Sequence, residues 1–100
     1  MGRTIVFSAM ASEQRVAFLR AHKDVALAVL TEVEKISRTL PEEGTPSALR
    51  KNRFSLTLFV TIHNLTFKTA ILYAFTKRMV RWETFAWKVV KAVPTLRLVK

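Results

Sequence analysis

Residues 54–75 read FSLTLFVTIHNLTFKTAILYAF, and the fold turns on them. Two periodicities compete in this stretch. Phe54, Leu56, Leu58, Val60 and Ile62 alternate with Ser55, Thr57 and Thr61, the pattern of a half-buried strand, and His63-Asn64 stands where a hairpin turn would follow. Against that, Arg50, Arg53, Thr57, Thr61, Asn64 and Lys68 recur at spacings of 3, 4, 4, 3 and 4. Those spacings put all six on one stripe of a helix, with apolar residues nearly everywhere else. A strand would leave Phe59 on the polar face and give Lys68 no natural place, and neither Gly nor Pro interrupts residues 47–93. On these grounds the helical reading is adopted, and the stretch is expected to lie within one long helix, 47–77.

The flanking residues extend this picture. Upstream, Leu19, His22, Ala26, Val29, Val33, Ile36 and Leu40 recur at alternating spacings of three and four, a heptad seam widened by Phe18, Val25 and Leu30. They predict a helix over 13–40 with Ser12 as N-cap, Lys35 and Arg38 in the last turn, and Pro41 as the stop. At ~1.5 Å per residue it would be about 42 Å long, which favours an elongated bundle. Residues 41–46, PEEGTP, form the connector, and Thr45-Pro46 reads as an N-cap followed by proline at the first helical position. Downstream, Trp82, Phe85, Ala86, Val89, Val90 and Val93 keep helical spacing and predict a third helix over 79–93, with a basic tail at 94–100. The expected fold class is therefore all-α. It is a single domain over 1–100, with two long antiparallel helices and a shorter C-terminal helix, forming an elongated helical bundle.

Charge is distributed as unevenly as the apolar residues. Residues 1–46 carry six cations and six acids, whereas residues 47–100 carry eleven cations and one acid, Glu83, and so supply the whole net charge of +10. A one-sided basic field steers anionic partners: nucleic acid, acidic lipid or an acidic protein groove. Half of the residues are apolar, more than a domain of this size buries by itself, so the surplus predicts a homodimer or another apolar partner. The absence of cysteine excludes disulfides and thiolate metal sites and points to a reducing compartment, the cytoplasm.

No catalytic constellation emerges, and the expectation is a protein that is not an enzyme and takes no metal or cofactor. His22 and His63 are far apart, and neither has a spaced metal partner. Glu42-Glu43 reads as a solvated turn, and no phosphate-binding glycine motif or nucleophile elbow is present. The informative constellation is basic. Arg50, Lys51 and Arg53 fall in the first turns of the expected second helix, where cations oppose the helix dipole, so an anionic partner should favour them. Arg50, Arg53 and Lys68, with Thr57, Thr61 and Asn64 between, suit a sugar–phosphate backbone, and Lys77, Arg78 and Arg81 add a second cluster. The aromatic residues are interleaved with aliphatic ones at core spacing, which favours backbone recognition of a duplex over base stacking.

A second reading takes residues 54–75 as a single transmembrane helix. Twenty-two positions suffice for ~30 Å of hydrocarbon, and basic clusters lie at both ends. Opposing it, Lys68 near mid-depth would cost about 2.5–3.5 kcal/mol. The protein would then be a small basic structural subunit of a membrane complex, and a mitochondrial one if residues 1–23, Arg-rich with one acid, act as a targeting segment.

The order of long helix, proline-containing loop, long basic helix and short third helix resembles the nodavirus B2 proteins, locally through TPSALRKNRFSLTLF (45–59) and LTFKTAILYAFTKRMV (65–80). That family comprises small viral suppressors of RNA silencing that bind double-stranded RNA as elongated antiparallel dimers. The resemblance implies double-stranded RNA as the nucleic acid and host cytoplasm as the location. It also implies that Arg50, Lys51 and Lys68 inherit the contacts. The expected function is sequence-independent nucleic-acid binding through Arg50, Lys51, Arg53, Thr57, Thr61, Asn64, Lys68, Lys77, Arg78 and Arg81.

Overall fold

His63 and Asn64 both adopt positive φ, 52° and 67°, the left-handed pair of a two-residue type I′ turn. That turn makes residues 54–75 a hairpin and overturns the all-α expectation. A computed structural model of the chain describes residues 2–90. It is α+β, with two helices and a five-stranded mixed sheet in place of a helical bundle. In chain order the elements are β1 (Thr4–Phe7), α1 (Ala9–Ala21), α2 (Ala26–Thr39), a 3-10 turn (Pro41–Glu43), β2 (Thr45–Pro46), β3 (Phe54–Ile62), β4 (Leu65–Phe75) and β5 (Met79–Val90). The sheet order is β1-β5-β4-β3-β2, antiparallel except for β1, which runs parallel to β5.

Each expected helix fails for a physical reason. Helix 47–77 is replaced by a loop and the β3–β4 hairpin, because the alternation of β-branched and aromatic residues in 54–62 fits a pleated, half-buried surface. Pro46 does not open a helix but pairs with Phe54 across β2 and β3. Where helix 79–93 is expected, residues 79–90 form β5, and residues 91–93 and the expected tail 94–100 lie outside the described residues. The helical spacing of Trp82, Phe85 and Val89 has a specific origin. A bulge between Trp82 and Thr84 inserts Glu83 as an extra residue, so inward positions fall at 80, 82, 85, 87 and 89. Helix 13–40 is two helices broken at His22–Val25, where the chain turns. Ser8, not Ser12, caps α1, its hydroxyl accepting from the Ala11 N–H at 3.0 Å.

Both helices lie on one face of the sheet. The core joins Ala11 and Phe18 of α1, and Ala26, Val29, Leu30 and Val33 of α2, to Phe67, Ile71, Tyr73, Val80, Trp82 and Phe85. Complete burial of each large apolar side chain contributes roughly 1.5–3 kcal/mol. The polar groups of Trp82, Ser37 and Tyr73 have partners in this core. Trp82 Nε1–H donates to Ser37 Oγ at 3.1 Å, and the Ser37 hydroxyl donates to the Glu34 carbonyl at 3.1 Å. The fully buried Tyr73 donates its hydroxyl to the Pro41 carbonyl, tying the 3-10 turn to the sheet. Burial, and secondarily the Glu42 carboxylate, raise the pKa of Tyr73 above 10.0, while a bond from the Gly44 backbone opposes the rise. His22 packs against the rings of Phe18, Phe67 and Trp87, at centroid distances of 5.9, 5.1 and 4.9 Å.

Candidate nucleic-acid interface

No described helix covers the second face of the sheet. Alternation along each strand decides what stands there: Thr57, Phe59 and Thr61 from β3, Thr66, Lys68, Ala70, Leu72 and Ala74 from β4, and Arg81, Thr84, Ala86, Lys88 and Val90 from β5. The register arranges them in rows across the strands. Phe59, Lys68 and Lys88 form one row, and Thr57, Ala70 and Ala86 form the next. The two alanines leave a shallow open depression of about 220 Å³, bordered by Lys68 and Lys88 and by Trp87.

Lys68 and Lys88 are direct cross-strand partners. Like charges in that relation destabilise a sheet, and no acid stands between them. The Lys68 ammonium lies 6.0 Å from the Phe59 ring centroid, and Phe59 is 62% exposed. Six of the seven acids fall between residues 13 and 43, in the helices and the segments that join them, so the helical layer is near neutral and the open face is basic.

The one acid on the sheet, Glu83, is already engaged. Its carboxylate lies 3.1 Å from Arg53 Nε and 4.0 Å from an Arg50 terminal nitrogen. The Arg53 Nε–H is not aimed along that line, so the contact is an ion pair without a hydrogen bond. The bulge that displaces Glu83 from the alternation thus holds loop 47–53 over the edge of the face. Arg50 and Lys51 stay exposed in that loop, and Leu49 at its crest is 93% exposed.

The expected site residues therefore separate into three places. Thr57, Thr61 and Lys68 share the open face, and Arg81 stands on it opposite Ala74. Arg50, Lys51, Arg53, Lys77 and Arg78 cluster near one end of the sheet, in the β2–β3 loop and the β4–β5 turn. Thr76 shapes that turn, its hydroxyl accepting from the Arg78 and Met79 N–H groups, both at 3.2 Å. Asn64 lies at the far tip and serves the type I′ turn instead of a stripe. The helical stripe does not exist.

Three residues were missed. Lys88 and Phe59 join Lys68 in one row, and the strand reading of 54–62 would have found Phe59 on that face. Arg3 adds to the basic end, where its Nε–H donates to the Thr76 carbonyl at 2.7 Å and its guanidinium lies over the Phe75 ring at 5.5 Å. Nothing in the local sequence signals Arg3, because β1 joins β5 across more than seventy residues.

Among the described residues no group of three metal-ligating side chains comes together. No helix among them is long and apolar enough to cross a membrane, and residues 54–75 are two strands in place of a transmembrane helix. Comparisons with protein-family models, curated proteins and solved structures found no match.

Proposed function

We propose that the protein binds nucleic acid without regard to sequence, using the open face of its sheet. The observation that carries this reading is the Lys68–Lys88 pair, two facing cations on an uncovered surface with no acid to neutralise them. Such a pair costs the free protein stability, and a phosphate between the two ammonium groups offsets that cost. Arg81 extends the row of charge toward the basic end, where Arg50, Lys51, Lys77, Arg78 and Arg3 continue it. Thr57, Thr61 and Thr66 supply hydroxyls suited to phosphates and 2′-hydroxyls. Double-stranded RNA is the form we favour, because contacts of this kind read backbone shape. Phe59 favours a second arm, single-stranded RNA: it is an exposed ring beside a cation. Single-strand platforms stack successive bases on several aromatic side chains, so one ring leaves backbone contacts dominant.

Titration of a labelled RNA duplex of about 25 base pairs at two salt concentrations tests the proposal, with DNA duplex and single-stranded RNA alongside. Binding should fall linearly on a log–log salt plot, and Lys68→Ala and Lys88→Ala should each flatten that slope by roughly 0.9. Unchanged affinity and slope in both variants would overturn the assignment.

A further inference from the structure

β3 pairs with β2 only at Phe54 and Ser55, so its side away from β4 carries no described partner from Leu56 to Ile62. The geometry points to a second copy of this chain as the occupant of that edge, paired antiparallel through a two-fold axis at Phe59.

The backbone fixes which groups are free. Counting back from the two-residue turn, Ile62, Val60, Leu58 and Leu56 bond to β4, and Thr61, Phe59 and Thr57 turn their N–H and C=O outward. Two contacts agree with this phase. Thr69 Oγ1 donates to the Leu58 carbonyl at 3.1 Å, and the Thr61 and Thr66 hydroxyls meet at 2.8 Å, as in a close non-bonded pair. The free stretch runs from 56 to 62, and its midpoint is Phe59, one of the outward-facing residues. Antiparallel self-pairing about Phe59 therefore uses the whole free edge and stops where β2 begins. Phe59 faces its own copy and Thr57 faces Thr61 of the partner subunit, each pair exchanging two backbone bonds. Aromatic and Thr–Thr cross-strand pairs are favourable ones. On the helix side, half-buried Leu56, Leu58, Val60 and Ile62 gain cover, which takes up part of the apolar surplus.

Charge and edge chemistry support the same occupant. β3 bears no charged residue between Phe54 and Ile62 although the chain carries +10. It also has no proline, glycine or bulge there, the devices that usually block an edge. On the opposite side of the sheet, β1 covers β5 from Met79 to Trp82. Beyond β1, the Ser8 hydroxyl donates to the Glu83 carbonyl at 2.6 Å, and Gln14 Oε1 accepts from the Phe85 N–H at 2.7 Å. Pairing of one edge with itself closes after two copies. Across the seam the two Lys68 residues stand three strand spacings apart, roughly 14 Å, beyond the ~8 Å Debye length at physiological salt. The dimer would align Lys88, Lys68 and Phe59 of both copies in one row about 24 Å wide. The value of that row for nucleic acid rests on the proposed function; the pairing itself does not.

The test uses the full chain without nucleic acid. Sedimentation equilibrium should give twice the 11.5 kDa chain mass, and Phe59→Lys, which sets two ammonium groups against each other, should weaken association about tenfold or more while leaving the far-ultraviolet dichroism unchanged. Because the chain has no cysteine, Phe59→Cys reports the register directly. Facing Cα atoms at about 5.5 Å suit a disulfide, so this variant should oxidise to a covalent dimer. Thr57→Cys should not, its copies being about 14 Å apart along the strands. A wild-type chain that stays monomeric, a dimer indifferent to Phe59→Lys, or equal cross-linking of both cysteine variants would overturn the proposal. Failure here would leave the nucleic-acid titration of the monomer unaffected.

Discussion

Replacing Lys88 with glutamine should make the free protein more stable. Lys68 and Lys88 are register partners on the uncovered face. By the alternation that starts at the His63-Asn64 turn they exchange both backbone bonds, which places their Cα atoms about 5.5 Å apart. With the stems splayed to hold the ammonium groups at ~8 Å, repulsion in water is roughly 0.5 kcal/mol, inside the ~0.2–1 kcal/mol range of cross-strand pairs. In a domain of this size ~0.5 kcal/mol raises Tm by roughly 2–4 °C. Thermal denaturation followed by circular dichroism at about 0.01 M salt should show that rise for Lys88→Gln and for Lys68→Gln. The double variant should add little, since removing either charge already relieves the pair. At about 1 M salt, where the Debye length is ~3 Å, the gain should vanish. The same single variants should bind duplex RNA more weakly, so stability and binding move in opposite directions. Destabilisation at low salt, or fully additive gains in the double variant, would refute the idea that the pair is held in repulsion for a ligand.

Other outcomes follow from single contacts. Tyr73 is the only tyrosine, and its pKa is raised above 10.0 by burial, so the folded state holds the phenolic proton more tightly than the unfolded chain. That contribution is complete below pH 10.0 and is lost as pH rises through the higher folded value. Tyr73→Phe should cost about 0.5–1.5 kcal/mol at neutral pH by removing one of the two bonds to the Pro41 carbonyl, which keeps the Gly44 N–H, and should fall less steeply than wild type in alkaline denaturation. Gln14→Leu should expose the Phe85 amide, read as faster hydrogen exchange at Phe85 with the β3–β4 amides unchanged. Asn64→Gly should leave duplex affinity unchanged and stability equal or slightly higher, because glycine accepts positive φ more readily; a loss of affinity would restore Asn64 as a contact.

How much of this was legible in the sequence depends on the segment. The alternation of Phe54–Ile62 and the turn at His63-Asn64 were both visible, and the helical reading won because Phe59 and Lys68 looked misplaced on a strand. They are misplaced for stability alone: both stand on the open face, where an anionic partner would use them. β5 was unreadable for a different reason, since one inserted residue at Glu83 turns a two-residue period into a helical one. In the first half, Ala26, Val29 and Val33 of the seam and the flanking Phe18, Val25 and Leu30 do enter the core, but against a sheet and from two helices in place of one, and Leu40 of the seam is exposed. The break at His22–Val25 carries neither Gly nor Pro, so nothing local announced it. β1 escaped notice because its four residues have meaning only beside β5. The charge asymmetry survived the change of fold, because six acids stay with the helical layer while Lys68, Arg81 and Lys88 stand on the strands and Arg50, Lys51, Arg53, Lys77 and Arg78 in the loops at one end of the sheet.

The most direct test is to map backbone amide shifts of the labelled protein while an RNA duplex is added. The account predicts that the perturbed amides cluster at Thr57, Lys68, Ala70, Ala86 and Lys88 and extend toward Arg81, while α1 and α2 stay still. Shifts confined to the helices, or none at a duplex concentration that saturates other basic domains, would contradict it.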